Sequence, residues 1–260
     1  MAHPLLDAIE MARFVRSCKP MLKGLMAFLS LTFAPCPDEA PQIGVAEAHI
    51  WQVDLEGPHK NYLSASEQER AHAMRHPEKQ AHYVAARSAL RLILSKYTQL
   101  APQDHDISFG PYGKPQINGS DLHFNVTHAQ GKALIGVARV PVGIDLEFPR
   151  AVTQLDRLIA DYFSAEEARE LMALHDEEKA KAFLAAWTRK EACLKATGEG
   201  IAGGLHRYRV TLHDEAKLVS IDGNTEASSK WTLHAFSAFG DGQAAICAAH
   251  PTLNVQGFTL

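Results

Sequence analysis

The hydrophobic and polar positions along this chain predict a strand, helices and strands, and then helices and strands again. Residues 48–55, AHIWQVDL, alternate apolar and polar side chains, the period-two pattern of a strand with one buried face. A long helical region follows from Ser64 or Ser66 and breaks at Pro77. In it Tyr83, Ala86, Leu90 and Leu94 recur at helical spacing as a core stripe, while Arg70, Arg75, Arg87 and Arg91 fall on the other faces. Residues 109–117, FGPYGKPQI, read as a turn-rich loop, and residues 122–147 as two or three strands with a turn at HAQG. From Phe163 the pattern is helical again. Ser164 and Glu167 of SAEE form a capping box, and Asp176 caps a second helix from Glu177 to Ala196 that Gly198 and Gly200 end. Strands return at 208–212, 230–236 and 243–251. The two rounds echo one another loosely, without a repeat at the level of sequence.

Composition narrows the partners. The chain has 260 residues, 46% hydrophobic and 22% charged, which fits one large globular domain or two smaller ones. A formal net charge of -4 argues against a nucleic-acid partner. Cys18, Cys36, Cys193 and Cys247 form no CxxC pair and no zinc spacing, so reduced thiols in the cytoplasm are expected. No apolar run has membrane-spanning length. Basic residues ahead of the apolar stretch Leu25–Ala34 resemble a weak signal peptide. The plainer reading is an extension, with 35–44, PCPDEAPQIG, as a linker before a domain that starts near Glu47.

Two stretches carry candidate chemistry. In GIDLE, 143–147, strand alternation puts Ile144 and Leu146 on one face and Asp145 and Glu147 on the other. Their Cα atoms then lie about 6.6 Å apart, so either one carboxylate takes up a proton or a cation sits between them, unless the face is simply exposed. In WTRKEACLK, 187–195, Glu191 shares an arc of about 100° with Phe183, Leu184, Trp187 and Leu194, which turns a carboxylate toward the interior. Glu191 is then either ion-paired with Lys195, one turn on, or a third oxygen ligand beside Asp145 and Glu147. An all-carboxylate set suits Mg2+, which keeps waters and binds substrate phosphates. Lys114, Arg70, Arg87, Lys190, Lys195 and His128 are candidates to hold such a phosphate. The chain has no GxxxxGK[ST] loop.

GKP (113–115), FNVTH (124–128), GIDLE, WTRKEACLK and AAICAAHP (244–251) stand in the order found in Sfp-type 4′-phosphopantetheinyl transferases, which the chain resembles over residues 47–251. The resemblance implies an α+β fold of two similar subdomains related by a pseudo-two-fold, with coenzyme A in the cleft between them. Residues 1–46 would be an N-terminal extension and linker, 47–140 the first subdomain, and 141–260 the second, carrying the metal site. It implies transfer of the phosphopantetheine arm of coenzyme A to a serine of an apo acyl, peptidyl or aryl carrier protein, with release of 3′,5′-ADP. The implied enzyme is a cytoplasmic monomer. Asp145, Glu147 and Glu191 match the acids that bind Mg2+, and Glu191 or Glu147 would take the serine's proton. Lys195 matches the lysine that stabilises or protonates the departing phosphate. Lys114 with Pro115, Thr127 and His128 match residues that hold the coenzyme A phosphates or its adenine nucleotide. Arg70, Arg87 and Lys190 complete the expected coenzyme A contacts. The chain departs from its relatives in SASEQERAHAMR, where only Arg70 falls at a basic position, and in AHYVAAR, where His82 or Arg87 stands in for an arginine at the 3′-phosphate. Two other readings stay open: another Mg2+-dependent phosphoryl transferase, or a non-catalytic relative that only binds carrier proteins.

Overall fold

The computed structural model describes residues 29–37, 41–200, 204–213 and 215–260. A short strand β1 (Phe33–Pro35) precedes β2 (Glu47–Asp54), helices α1 (Ala65–His72) and α2 (Pro77–Thr98), a hairpin of β3 (Ile107–Phe109) and β4 (Pro115–Ile117), and the pair β5 (His123–Ala129) and β6 (Lys132–Ala138). The order then recurs. β7 (Val142–Glu147) leads to α3 (Leu155–Tyr162), α4 (Ala165–Met172) and α5 (Asp176–Thr197). A hairpin of β8 (Tyr208–Val210) and β9 (Leu218–Ile221), a helical turn α6 (Thr225–Ser228), the pair β10 (Thr232–Ala238) and β11 (Gly242–Ala248), and β12 (Asn254–Thr259) complete the α+β fold.

Local sequence accounts for the boundaries. Ser64 and Ser164 cap α1 and α4, and Glu67 and Glu167 reach back to the cap N–H in full capping boxes. Pro77 sits in the first turn of α2, where its missing N–H costs nothing. Gln130 and Gly131, at φ 50° and 71°, form the two-residue turn that HAQG predicted. Gly198 ends α5 in the left-handed region, whereas the N-cap is His175 and not Asp176.

The two capping glutamates also grip the long helices. Glu67 accepts from Arg87 Nε at 2.8 Å and Arg91 Nε at 2.6 Å, and Arg91 donates onward to the carbonyls of Pro102, Gln103 and His105. Glu167 pairs with Lys190 at 2.7 Å and accepts from the Val210 N–H. Lys190 donates onward to the carbonyls of Leu205 and Tyr208. Each round thus uses one buried, fully partnered acid–base pair to bind short helix, long helix and following loop. Arg91 is therefore a core residue, 2% exposed, where the helical pattern placed it on a polar face.

Two sheets pack face to face between the long helices. The larger has strand order β1-β12-β2-β6-β5, and β12 runs parallel to both its neighbours; the smaller is β10-β11-β7 and antiparallel. Ile50, Leu134, Ile144, Leu146, Phe236 and Ile246 fill the space between the sheets. α2 covers the far face of the larger sheet through Trp51, Leu90, Leu94 and Phe124, and α5 covers the smaller through Phe183, Cys193, Leu194 and Cys247. Against expectation, α5 has no single buried stripe: it lies between the sheet on one side and α4 and β8 on the other, so residues all round it are buried.

Both ends of the described chain depart from the sequence reading. The Leu29 N–H donates to the Ala235 carbonyl, Leu29, Leu31 and Phe33 pack between the sheets, and β1 forms an edge strand. Residues 29–35, from the expected N-terminal extension and the first residue of the linker, thus pack against the fold; the extension up to residue 28 lies outside the described residues. β12 follows the second round in sequence yet enters the first round's sheet, so the chain crosses back over any division at residue 140. Among the described residues no helix is long and apolar enough to cross a membrane.

Candidate functional site

The site forms where α5 crosses β7. A Cβ added at Gly143 would fall within the backbone of Ala192, Lys195 and Ala196, so the glycine of GIDLE lets the helix lie directly on the strand. Side chains of α5 thereby reach residues only two and four positions beyond Gly143. The buried Asn125 side chain accepts from the Ile144 N–H at 2.9 Å and fastens β5 beside β7, although the two strands belong to different sheets. That link brings Thr127 to Asp145.

Asp145 is the centre. It is 4% exposed, and its Oδ1 accepts from Thr127 Oγ1 at 3.2 Å and from Lys195 Nζ at 2.5 Å. Its Oδ2 is buried and has no hydrogen-bond partner among the described residues. Glu147, two residues along the same face, is half-buried and meets Arg150 at 3.2 Å. Burial, then the Asp145 charge, pushes its pKa up to about 7 against the pull of Arg150 and Lys195. Glu191 is likewise raised, by burial first; Lys195 opposes the rise and Asp145 adds to it. Burial tends to lower the Lys195 pKa, but Asp145, followed by Glu191 and Glu147, reverses this and holds it above the ordinary lysine range. Three acids and one lysine therefore share one electrostatic site. Among the described residues no three His, Cys, Asp or Glu side chains close into a ready-made metal cage.

The other candidates divide by placement. Thr127 belongs to the site. His128, next on β5, keeps part of its surface open to solvent and sits near enough to feel Lys195; partial desolvation by the surrounding protein, then Lys195 and His82, lowers its pKa. Lys114 comes across from the β3–β4 loop, but its ammonium donates to the carbonyls of Val142 at 3.0 Å and Ala196 at 2.8 Å. Burial brings its pKa down to about 8. Pro115 begins β4 beside it. Arg87 is held by Glu67 and lies over the Phe109 ring, and Arg70 lies over Tyr83. Lys190 is 0% exposed with its ion pair and two carbonyls, which is a correction: it has no donor to offer a ligand. Gly143 and Asn125 are positioning residues to which the sequence pattern assigns no role, although they stand inside GIDLE and FNVTH. A glycine inside a strand pattern is the signal for the first, and only the packing of β5 beside β7 gives the second its part.

A family model described as the 4′-phosphopantetheinyl transferase superfamily matches residues 141–249, from just before β7 through β11, and so contains the three acids and Lys195. The 4′-phosphopantetheinyl transferase HetI of Nostoc sp. is 37% identical over 167 residues, 60% of this chain and 70% of that protein. The chain belongs to the 4′-phosphopantetheinyl transferase family. Relatives in Bacillus subtilis extend the match over more of it. A 4′-phosphopantetheinyl transferase there is 30% identical over 192 residues, 73% of this chain and 83% of its own length. The transferase Sfp is 27% identical over 192 residues, 74% and 84%.

Proposed function

We propose that this transferase moves the 4′-phosphopantetheine arm of coenzyme A onto a serine of an apo acyl, peptidyl or aryl carrier protein, releases 3′,5′-ADP, and requires Mg2+. The observation that carries the reading is the meeting of Asp145, Glu147, Glu191 and Lys195 on one crossing of helix and strand. The residues suit a hard divalent cation: Asp145 Oδ2 is a buried carboxylate oxygen without a partner among the described residues, and burial together with the Asp145 charge raises the pKa of both other acids. Asp145, Glu147 and Glu191 would hold it, and when bound it would supply charge neutralisation for the pyrophosphate and the transferred phosphoryl group.

The chain's own residues do the rest. Glu147 or Glu191 takes the proton of the incoming serine hydroxyl, directly or through a water. Lys195 donates to the departing phosphate of 3′,5′-ADP. Thr127 and His128 line the approach of the nucleotide, with Arg70 and Arg87 on the first round's side. The carbonyl contacts of Lys114 make it a tie between the rounds as much as a ligand group, and Lys190 is left out of the binding set. Positioning and electrostatics thus supply most of the catalysis, as in phosphoryl transfer generally. The proposed enzyme is a cytoplasmic monomer.

Intact-mass spectrometry of an apo carrier protein incubated with the transferase, coenzyme A and Mg2+ tests this. The expected result is a gain of one phosphopantetheine arm, abolished by EDTA and reduced at least about 100-fold by Asp145→Asn or Glu191→Gln. No gain on any class of carrier, together with no binding of coenzyme A, would remove the proposal.

A further inference from the structure

Lys195 does something in this site that a leaving-group donor alone has no need to do. Its ammonium lies 2.5 Å from Asp145 Oδ1 and 3.5 Å from Thr127 Oγ1, so it is bound to the acid at the centre of the site. The Asp145 side chain is 6% exposed and that of Lys195 29%, so the lysine reaches in from the solvent side to a carboxylate that water scarcely touches. Asp145 gives both of its donors the same oxygen and leaves the other bare. Glu147 and Glu191 add two more acids, and the other cation at the site, Arg150, is about half exposed and sits on Glu147 alone. A buried carboxylate that loses its counter-charge is strongly destabilised. A lysine ammonium is a compact charge on a flexible stem, suited to hold such a place and then leave it.

We infer that Lys195 is the stand-in cation of the metal-free enzyme: it neutralises Asp145 until a divalent cation takes that carboxylate, and metal binding frees the lysine for the substrate. This rests on the metal reading given above. It orders the events, because the leaving-group donor becomes available only once the acids hold their metal. It also makes the lysine and the metal competitors for one carboxylate before they become partners in one reaction.

Thermal unfolding without coenzyme A, in EDTA and in excess Mg2+, tests the inference with wild type, Lys195→Met and Asp145→Asn. In EDTA, Lys195→Met melts below wild type by about 4 °C or more, the shift expected in a protein of this size when a buried counter-charge is lost. Mg2+ raises Lys195→Met more than wild type and closes the gap, and its apparent Mg2+ affinity is about tenfold tighter. Equal melting in EDTA, or equal responses to Mg2+, overturns the inference while leaving the metal site standing. If Mg2+ moves neither protein, or moves Asp145→Asn as much as wild type, no cation takes Asp145 ahead of coenzyme A and the inference falls; the metal reading itself fails if Mg2+ also has no effect with coenzyme A present. Should Lys195→Met not fold, wild type still decides. Brief acetylation followed by peptide mass spectrometry, with the exposed Lys217 as internal reference, reports the reactivity of the Lys195 amine. Mg2+ increases Lys195 labelling if the lysine is displaced from Asp145. Unchanged or reduced labelling, in a protein whose melting Mg2+ raises, refutes the displacement.

Discussion

Glu147 ends β7 with its carboxyl pKa pushed up to about 7, by burial and then by Asp145. In the metal-free protein this has a defined sign. Between the ordinary 4.5 and about 7, the folded state binds a proton that the unfolded chain has released, so this residue's contribution to stability is lost as pH rises through that window. Glu147→Gln keeps the shape and removes the charge. It should melt above wild type at pH 7 in EDTA, and the difference should shrink as pH falls toward 4.5. A variant less stable than wild type at pH 7 would show that the acids do not repel one another as described. Lys190 teaches the converse at this scale: a lysine one residue from a catalytic candidate can be wholly structural when an acid and two carbonyls engulf it.

At the scale of elements, two contacts govern where the acids stand. The first is the crossing of α5 over β7 at Gly143. Gly143→Ala has no room for its methyl group against the helix backbone and should cost about 1–3 kcal/mol. It should also lower turnover well below wild type at temperatures where the protein is fully folded, because a helix pushed outward takes Glu191 and Lys195 with it. Unchanged turnover would mean that the site tolerates the shift. The second contact is Glu167, which caps α4, holds Lys190 of α5 and receives the Val210 N–H of β8. Glu167→Gln leaves Lys190 buried without its counter-charge, for which about 3–5 kcal/mol is the expected loss, visible as a shifted denaturation midpoint. A loss under 1 kcal/mol would show that the carbonyl partners suffice.

The whole molecule is two sheets held face to face between two long helices, and it has a pH response of its own. His49, on β2 beneath α2, keeps a buried ring; its Nδ1 meets Tyr97 Oη at 2.9 Å and its buried Nε2 has no partner among the described residues. Burial lowers its pKa to about 4, against a small opposing effect of Glu47. Below 6.5 the unfolded chain takes up a proton that the folded one refuses. Stability therefore falls as pH drops from 6.5 to about 4, by about 3 kcal/mol at most. His49→Gln should flatten this acid limb relative to wild type, measured by thermal unfolding across that range. A limb of unchanged slope would place the titrating group elsewhere. The sign is opposite to that of Glu147, so the two partly offset one another in the wild-type profile, and comparison of variants separates them.

The sequence by itself determined which family the chain resembles and the order of its elements. Asp145 and Glu147 share a face because strands have period two, and Glu191 shares a face with Lys195 because helices have period 3.6. The capping boxes at Ser64 and Ser164, the glycine turn after His128 and the stop at Gly198 are likewise local properties, which neighbouring residues settle. What needed the tertiary structure was everything that depends on residues far apart in the chain. Arg91 and Lys190 look like surface charges until Glu67 and Glu167, 24 and 23 positions earlier, are folded against them. β12 enters the first sheet between β1 and β2, a parallel pairing across some 200 residues that no local pattern announces. The lysine on Asp145 Oδ1, and the oxygen left bare beside it, exist only because Gly143 lets α5 lie against β7. Periodicity reports which way a side chain points; only packing decides what it meets there.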